Sequence, residues 1–169
     1  GFPSQGGVRV PAFAYYPKGI QKGVRHEGVL HVMDVMPTLL ELAGIEHPGT
    51  KYKDRDVVNM KGESMLAVLE GKSEATHGED YYIGWELFSK RAIRKGDWTI
   101  IYEPFHEVLE PRMAGIKSDT WQLYNITEDA SQLNDLSEEN PEKLAEMIAN
   151  WEEYVAETDL VIHDKWDGY

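Results

Sequence analysis

Six histidines are the first residues of this 169-residue sequence whose chemistry has to be weighed: His26, His31, His47, His77, His106 and His163. None forms His-x-His, and no pair has the spacing that puts two imidazoles on one helix face to hold a metal. His106 stands apart, in a charged loop over residues 103–119 beside Phe105, Glu103 and Glu107. Loops held by a rigid scaffold carry function more often than core strands do. The serines are Ser4, Ser64, Ser73, Ser89, Ser118, Ser131 and Ser137, and none sits in a Gly-x-Ser-x-Gly elbow. Gly6-Gly7 lacks the further glycines of a phosphate-binding loop. Trp85-Glu86 places a carboxylate beside an indole, but acid–base hydrolysis needs a second positioned group. With no cysteine, thiolate metal sites, cysteine nucleophiles and a disulfide scaffold are excluded. The residues therefore complete no catalytic constellation and no metal site.

Composition narrows the classes further. The net charge is −13, from 17 basic and 30 acidic side chains, which argues against a basic nucleic-acid-binding face. The acidity is concentrated: residues 125–169 hold 2 basic and 13 acidic side chains. Such a segment reads as a solvated face, and no Asp-x-Asp-x-Asp-Gly spacing turns it into a calcium loop. Hydrophobic residues at 41% and aromatic residues at 11% suffice for a core. No apolar run approaches the ~20 residues of a membrane span. Residues 1–11 lack the charged start and apolar middle of a signal peptide.

The elements that must position these residues are legible in outline. Residues 8–16 mix apolar, aromatic and β-branched side chains and read as a strand, with Pro11 an awkward member. A helix is expected over 35–43, with Asp34 as N-cap, Pro37 in its first turn and Gly44 past its end. Residues 46–62 read as a loop and 63–70 as a short helix. Strands are expected over 81–85, 91–94, 98–102 and 121–124, joined closely enough to favour an antiparallel meander. Asn140 and Pro141 open a final helix on which Leu144, Met147, Ile148, Trp151, Tyr154 and Val155 share one face. That stripe needs an apolar partner, and the sheet can supply it.

Several stretches, taken together, resemble the C-terminal part of a sulfatase. Gln5-Gly6-Gly7-Val8-Arg9-Val10-Pro11 is similar to the family's Glu-Gly-Gly-x-Arg-x-Pro, with Gln5 in place of the acid. Asp34-Val35-Met36-Pro37-Thr38-Leu39 with Ala43-Gly44 resembles its Asp-x-x-Pro-Thr-Leu helix. Lys61-Gly62-Glu63-Ser64-Met65 resembles its Gly-x-Ser-Leu/Met segment. Arg91-Ala92-Ile93-Arg94-Lys95-Gly96-Asp97-Trp98 is similar to its Ala-Ile-Arg-x-Gly-Asp-Trp stretch. Trp121-Gln122-Leu123-Tyr124-Asn125 and Pro141-Glu142-Lys143-Leu144-Ala145 match its last strand and the start of its last helix. The details resemble those of bacterial formylglycine-dependent arylsulfatases of the alkaline-phosphatase superfamily.

The resemblance implies an α+β fold: a four-stranded antiparallel sheet packed by a long C-terminal helix, preceded by a strand and helix left from a large α/β domain. It implies domains at 1–45 (end of the large domain), 46–74 (connection with a short helix), 75–160 (sheet and helix) and 161–169 (tail). The parent would hydrolyse sulfate esters with a formylglycine nucleophile and a calcium ion, neither of them held in this chain. The family's last sulfate-contacting lysine would fall just before Gly1. The chain is thus expected to be inactive alone, to support the missing N-terminal catalytic domain and to line its substrate cleft. Trp85 and His106 are the candidate rim residues, with ordinary packing and loop roles as the competing reading. Alternatives are a fragment of a related phosphate or phosphonate ester hydrolase, or a stand-alone acidic interaction module. The orphan strand over 8–16 would favour self-association. The absence of cysteine fits cytoplasm or periplasm alike.

Overall fold

The computed structural model of the chain describes residues 2–20, 22–104 and 120–162. The chain forms two compact units, Gly1–Pro11 with Glu79–Tyr169, and Ala12–Gly78.

The first unit is built on a meander of β3 (Tyr82–Leu87), β4 (Lys90–Lys95), β5 (Trp98–Tyr102) and β6 (Gln122–Asn125). Every neighbouring pair is antiparallel, in the order β3-β4-β5-β6. The register sets Gly84 opposite Ile93, Ile93 opposite Ile100, and Ile100 opposite Leu123. Because side chains alternate across a strand, this row lines one face, and Ala92, Ile101 and Tyr124 line the other. Helix α4 (Pro141–Thr158) covers the first face. Met147 and Trp151 join Ile93, Ile100 and Leu123 in a core that Leu144, Ile148, Tyr154 and Val155 flank. The expected stripe is therefore the packed face of the helix. Each such buried side chain stabilises by about 1.5–3 kcal/mol. Gly84 is there for space: a Cβ on it would overlap the Tyr154 ring.

The second face carries Ala92, Ile101, Tyr124 and Ile126, with Trp85 packed against them. The short α1 (Gln5–Val8) belongs to this unit. The Gln5 N–H donates to Gln132 Oε1 at 2.6 Å, and Lys90 Nζ lies 4.4 Å above the Phe2 ring. Lys90 also pairs with Glu103 at 3.0 Å.

The second unit holds a 3₁₀ turn (Val32–Asp34), α2 (Val35–Leu42), a two-residue hairpin of β1 (Lys51–Tyr52) and β2 (Arg55–Asp56), and α3 (Leu66–Leu69). Gly44 takes φ +66°, and the Ile45 N–H reaches the Leu40 carbonyl at 2.9 Å, closing α2 as the glycine predicts.

Residues 8–16 differ from the strand read in the sequence. Val8 ends α1 and no ladder follows, because a strand needs a neighbour to take its N–H and C=O groups and none of the described strands pairs with this one. Pro11 removes one donor in any case. Val10, Phe13 and Tyr15 stay exposed, Phe13 at 96%.

Candidate functional site

Asp34 is charged, yet no part of it reaches solvent. The sequence offers it as the N-cap of α2, and it does stand at that position, but its carboxylate makes no cap bond to the helix. It turns back instead. Oδ2 accepts the His31 N–H at 2.7 Å, and His77 Nε2 lies 3.0 Å from the same oxygen. Since a carboxylate only accepts, Nε2 is the donor there. Oδ1 accepts the Glu63 N–H at 3.0 Å. Three N–H groups thus offset the cost of burying the charge, which is large for an unpaired carboxylate.

A second layer of bonds tightens the same knot. The Thr38 hydroxyl, one helical turn after Asp34, donates to the Asp34 carbonyl at 2.6 Å. Its Oγ1 in turn accepts the Met65 N–H at 3.0 Å. Between these bonds Gly62 lies so close to the Met33 carbonyl and the Asp34 amide that a Cβ would collide with backbone. Ser64 Oγ accepts the Leu66 N–H at 3.3 Å at the start of α3. The Asp34–Thr38 and Gly62–Met65 motifs, 27 to 29 residues apart in the chain, are two halves of one polar clasp.

His31 and His77 complete it. The His77 side chain is 3% exposed, and its Nδ1 faces Glu63 Oε1 at 3.8 Å. His31 Nδ1 accepts the Met33 N–H at 3.3 Å, while Asp34 reaches back to the His31 N–H, so the two form a capping box around the 3₁₀ turn. Burial holds the His31 pKa below its usual value; the Asp34 charge pulls it up and His77 pushes it down.

This arrangement holds backbone in place. Asp34 offers a substrate no free face, and its oxygens are directed at N–H donors rather than at a cation. Among the described residues, no three acidic or histidine side chains gather as a metal site. Sequence reading passed over His31 and His77, taken singly, and credited Asp34 with a cap alone. The signal that was available is the four-residue spacing of Asp34 and Thr38, which puts both on one side of a helical turn.

Of the two residues singled out as cleft rim, one falls among the described residues. Trp85 is on β3, half-buried against Ala92, Ile101, Tyr124 and Ile126. His106, with most of the 103–119 loop, lies outside the described residues. Burial lifts the Tyr124 hydroxyl on the same sheet face to about 12, helped by Asp135, Asp129 and Glu103.

Known proteins resemble this chain in sequence and in fold. The family of the C-terminal region of N-sulphoglucosamine sulphohydrolase matches residues 2–159. An uncharacterized sulfatase of Schizosaccharomyces pombe is 40% identical over 162 residues, covering 95% of this chain and 27% of that protein. Arylsulfatase G of Mus musculus is 38% identical over 74 residues, covering 43% of this chain and 13% of that protein. Among solved structures, Ps i-CgsB superposes with a TM-score of 0.57 at 22% identity, over 83% of this chain and 27% of that one, a likeness of fold. The chain therefore spans about a quarter of the length of the relatives that cover most of it.

Proposed function

Because this chain belongs to the family of sulfatase C-terminal regions typified by N-sulphoglucosamine sulphohydrolase, we propose that it is the supporting part of an arylsulfatase-like sulfuric ester hydrolase and is inactive alone. In that reading it packs against an N-terminal catalytic domain and walls one side of the substrate cleft. The observation that carries the proposal is the outward face of α2. Val35, Met36, Leu39 and Leu42 are exposed, and Thr38 is the buried residue of the helix. A helix with its apolar side turned outward asks for a cover. The length of the relatives supplies a candidate, since three-quarters of the Schizosaccharomyces pombe sulfatase lies outside the aligned region.

Formylglycine and calcium belong to the proposed parent, where the first would supply the nucleophile and the second would orient the sulfate. Among the described residues none fits either group. There is no cysteine and no Cys/Ser-x-Pro-x-Arg, and the buried carboxylate of Asp34 is already engaged by N–H donors. In this reading the chain's own side chains supply no step of the hydrolysis. Trp85 and His106 remain the proposed rim residues, acting on substrate fit.

The test is hydrolysis of an aryl sulfate, with calcium, by the 169-residue chain and by the full-length parent. Turnover by the parent alone supports the proposal. Turnover by the isolated chain overturns it. Faster turnover of a phosphate monoester than of any sulfate ester by the parent would move the assignment to the related phosphate hydrolases.

A further inference from the structure

We propose that His31 is an acid-released latch: its unprotonated Nδ1 holds the turn that anchors the buried Asp34, and protonation of the ring lets that turn go. The inference goes beyond the supporting role above and rests on geometry within the second unit. Nδ1 of His31 accepts the Met33 N–H at 3.3 Å. A nitrogen that accepts must have its lone pair free, so the neutral ring carries its proton on Nε2. Once Nδ1 is protonated, two donors point at each other. The ring then has to rotate away, and the Met33 amide loses its acceptor.

The turn so loosened is the one that presents Asp34. The His31 N–H donates to Asp34 Oδ2 at 2.7 Å, and the Asp34 N–H donates to the His31 carbonyl at 2.9 Å. The same carboxylate holds the Glu63 N–H and His77. Release at His31 therefore reaches the 62–66 segment through a single carboxylate.

Charges facing His31 act in both directions. Asp34, on the same turn, favours the imidazolium. His77, from the segment after α3, opposes it, and burial opposes it more strongly than Asp34 favours it. Glu63 faces His77 at 3.8 Å and completes the set. The sign follows from these balances. The folded state prefers the neutral ring, so the unfolded chain binds the proton first as pH falls below 6.5. The latch is fully engaged above that value and weakens as pH falls through the lower folded pKa.

The experiment is amide exchange and imidazole titration by NMR on the whole 169-residue chain, from about pH 7.5 to about pH 5. The His31 ring is expected to titrate below its ordinary value. In parallel, the protection factors of Met33 and Glu63 should fall by about tenfold, the size of a lost N-cap. In H31N the side chain still accepts from the Met33 N–H but does not titrate, so its protection should stay flat. Three results would each overturn the latch: flat protection in the wild type, an equal fall in H31N, or a His31 ring that titrates at or above 6.5. An equal fall in H31N would assign the acid sensitivity to another group of the cluster. Neither arm measures sulfate hydrolysis, so failure here leaves the proposed function standing, and the reverse also holds.

Discussion

The two units of this chain solve the burial problem in opposite ways. The sheet and α4 put apolar side chains inside, with Ile93, Ile100 and Leu123 wholly buried and Met147 and Trp151 nearly so. The segment Ala12–Gly78 puts a carboxylate inside and turns much of its apolar surface outward. Asp34 and Thr38 are buried there, while Leu39 on the same helix is 54% exposed. A hydrophobic core tolerates small shifts because its forces have no direction. A clasp of directed bonds does not, because each lost partner leaves a buried donor or charge unpaired. The first unit carries its own stabilisation, and the second reads as a surface pre-shaped for something to cover it.

The contrast can be broken most severely at Trp151. Trp151→Ala should cost about 3–5 kcal/mol, since the indole fills the space between α4 and the sheet. Urea unfolding followed by circular dichroism measures it; a loss under about 1 kcal/mol would mean the helix is not packed as described. Asp34→Ala comes next, at about 3 kcal/mol, because it strands the amides of His31 and Glu63 and removes the Asp34 carboxylate from His77 Nε2. The loss should be local. Hydrogen exchange should rise at 31–38 and 62–66 while amides of β4 and β5 keep their protection. Simultaneous loss in the sheet would show that the two units unfold together, and the comparison would fail.

Alkaline pH probes a buried tyrosine of the first unit. The Tyr124 pKa is raised to about 12 from the ordinary 10.0, mainly by burial. The folded state therefore keeps the proton that the unfolded chain releases, so this contribution is whole below pH 10 and is lost as pH rises toward 12. Y124F should reduce that slope in denaturant midpoints, with Tyr82, also raised to about 12, keeping the remainder; an unchanged slope would place the titration elsewhere. The smallest effect is expected at Leu39. Leu39→Ser should alter the stability of the isolated chain by no more than about 0.5 kcal/mol, as surface changes do. In the full-length parent the same change should cost about 1.5–3 kcal/mol if a catalytic domain covers α2. Equal small costs in both would remove the argument for that cover.

Much of the fold was legible in the residues themselves. The stripe from Leu144 to Val155 announced a packed helix, and all six of its residues meet the sheet core. The four strands fall within a residue or two of their expected limits, because alternation and short turns are local signals. The family was legible too, through six ordered segments, and residues 2–159 match it. The β3–β4 turn was less visible. Phe88 and Ser89 take φ of 54° and 66°, values that the sequence would normally signal with Asn or Gly.

What the sequence determined by itself is set by neighbours within a few positions: helix faces, strand alternation, the closing glycine of α2, and the exclusion of cysteine chemistry. Tertiary structure decided the rest. Residues 8–16 have the composition of a strand, but a ladder needs a second strand, and pairing is not a local property. Asp34 reads as a helix cap because caps are local; that it instead gathers Glu63 and His77, 29 and 43 residues away, depends on where the chain returns. Short-range preference chose the elements, and long-range closure chose which polar groups would be buried together.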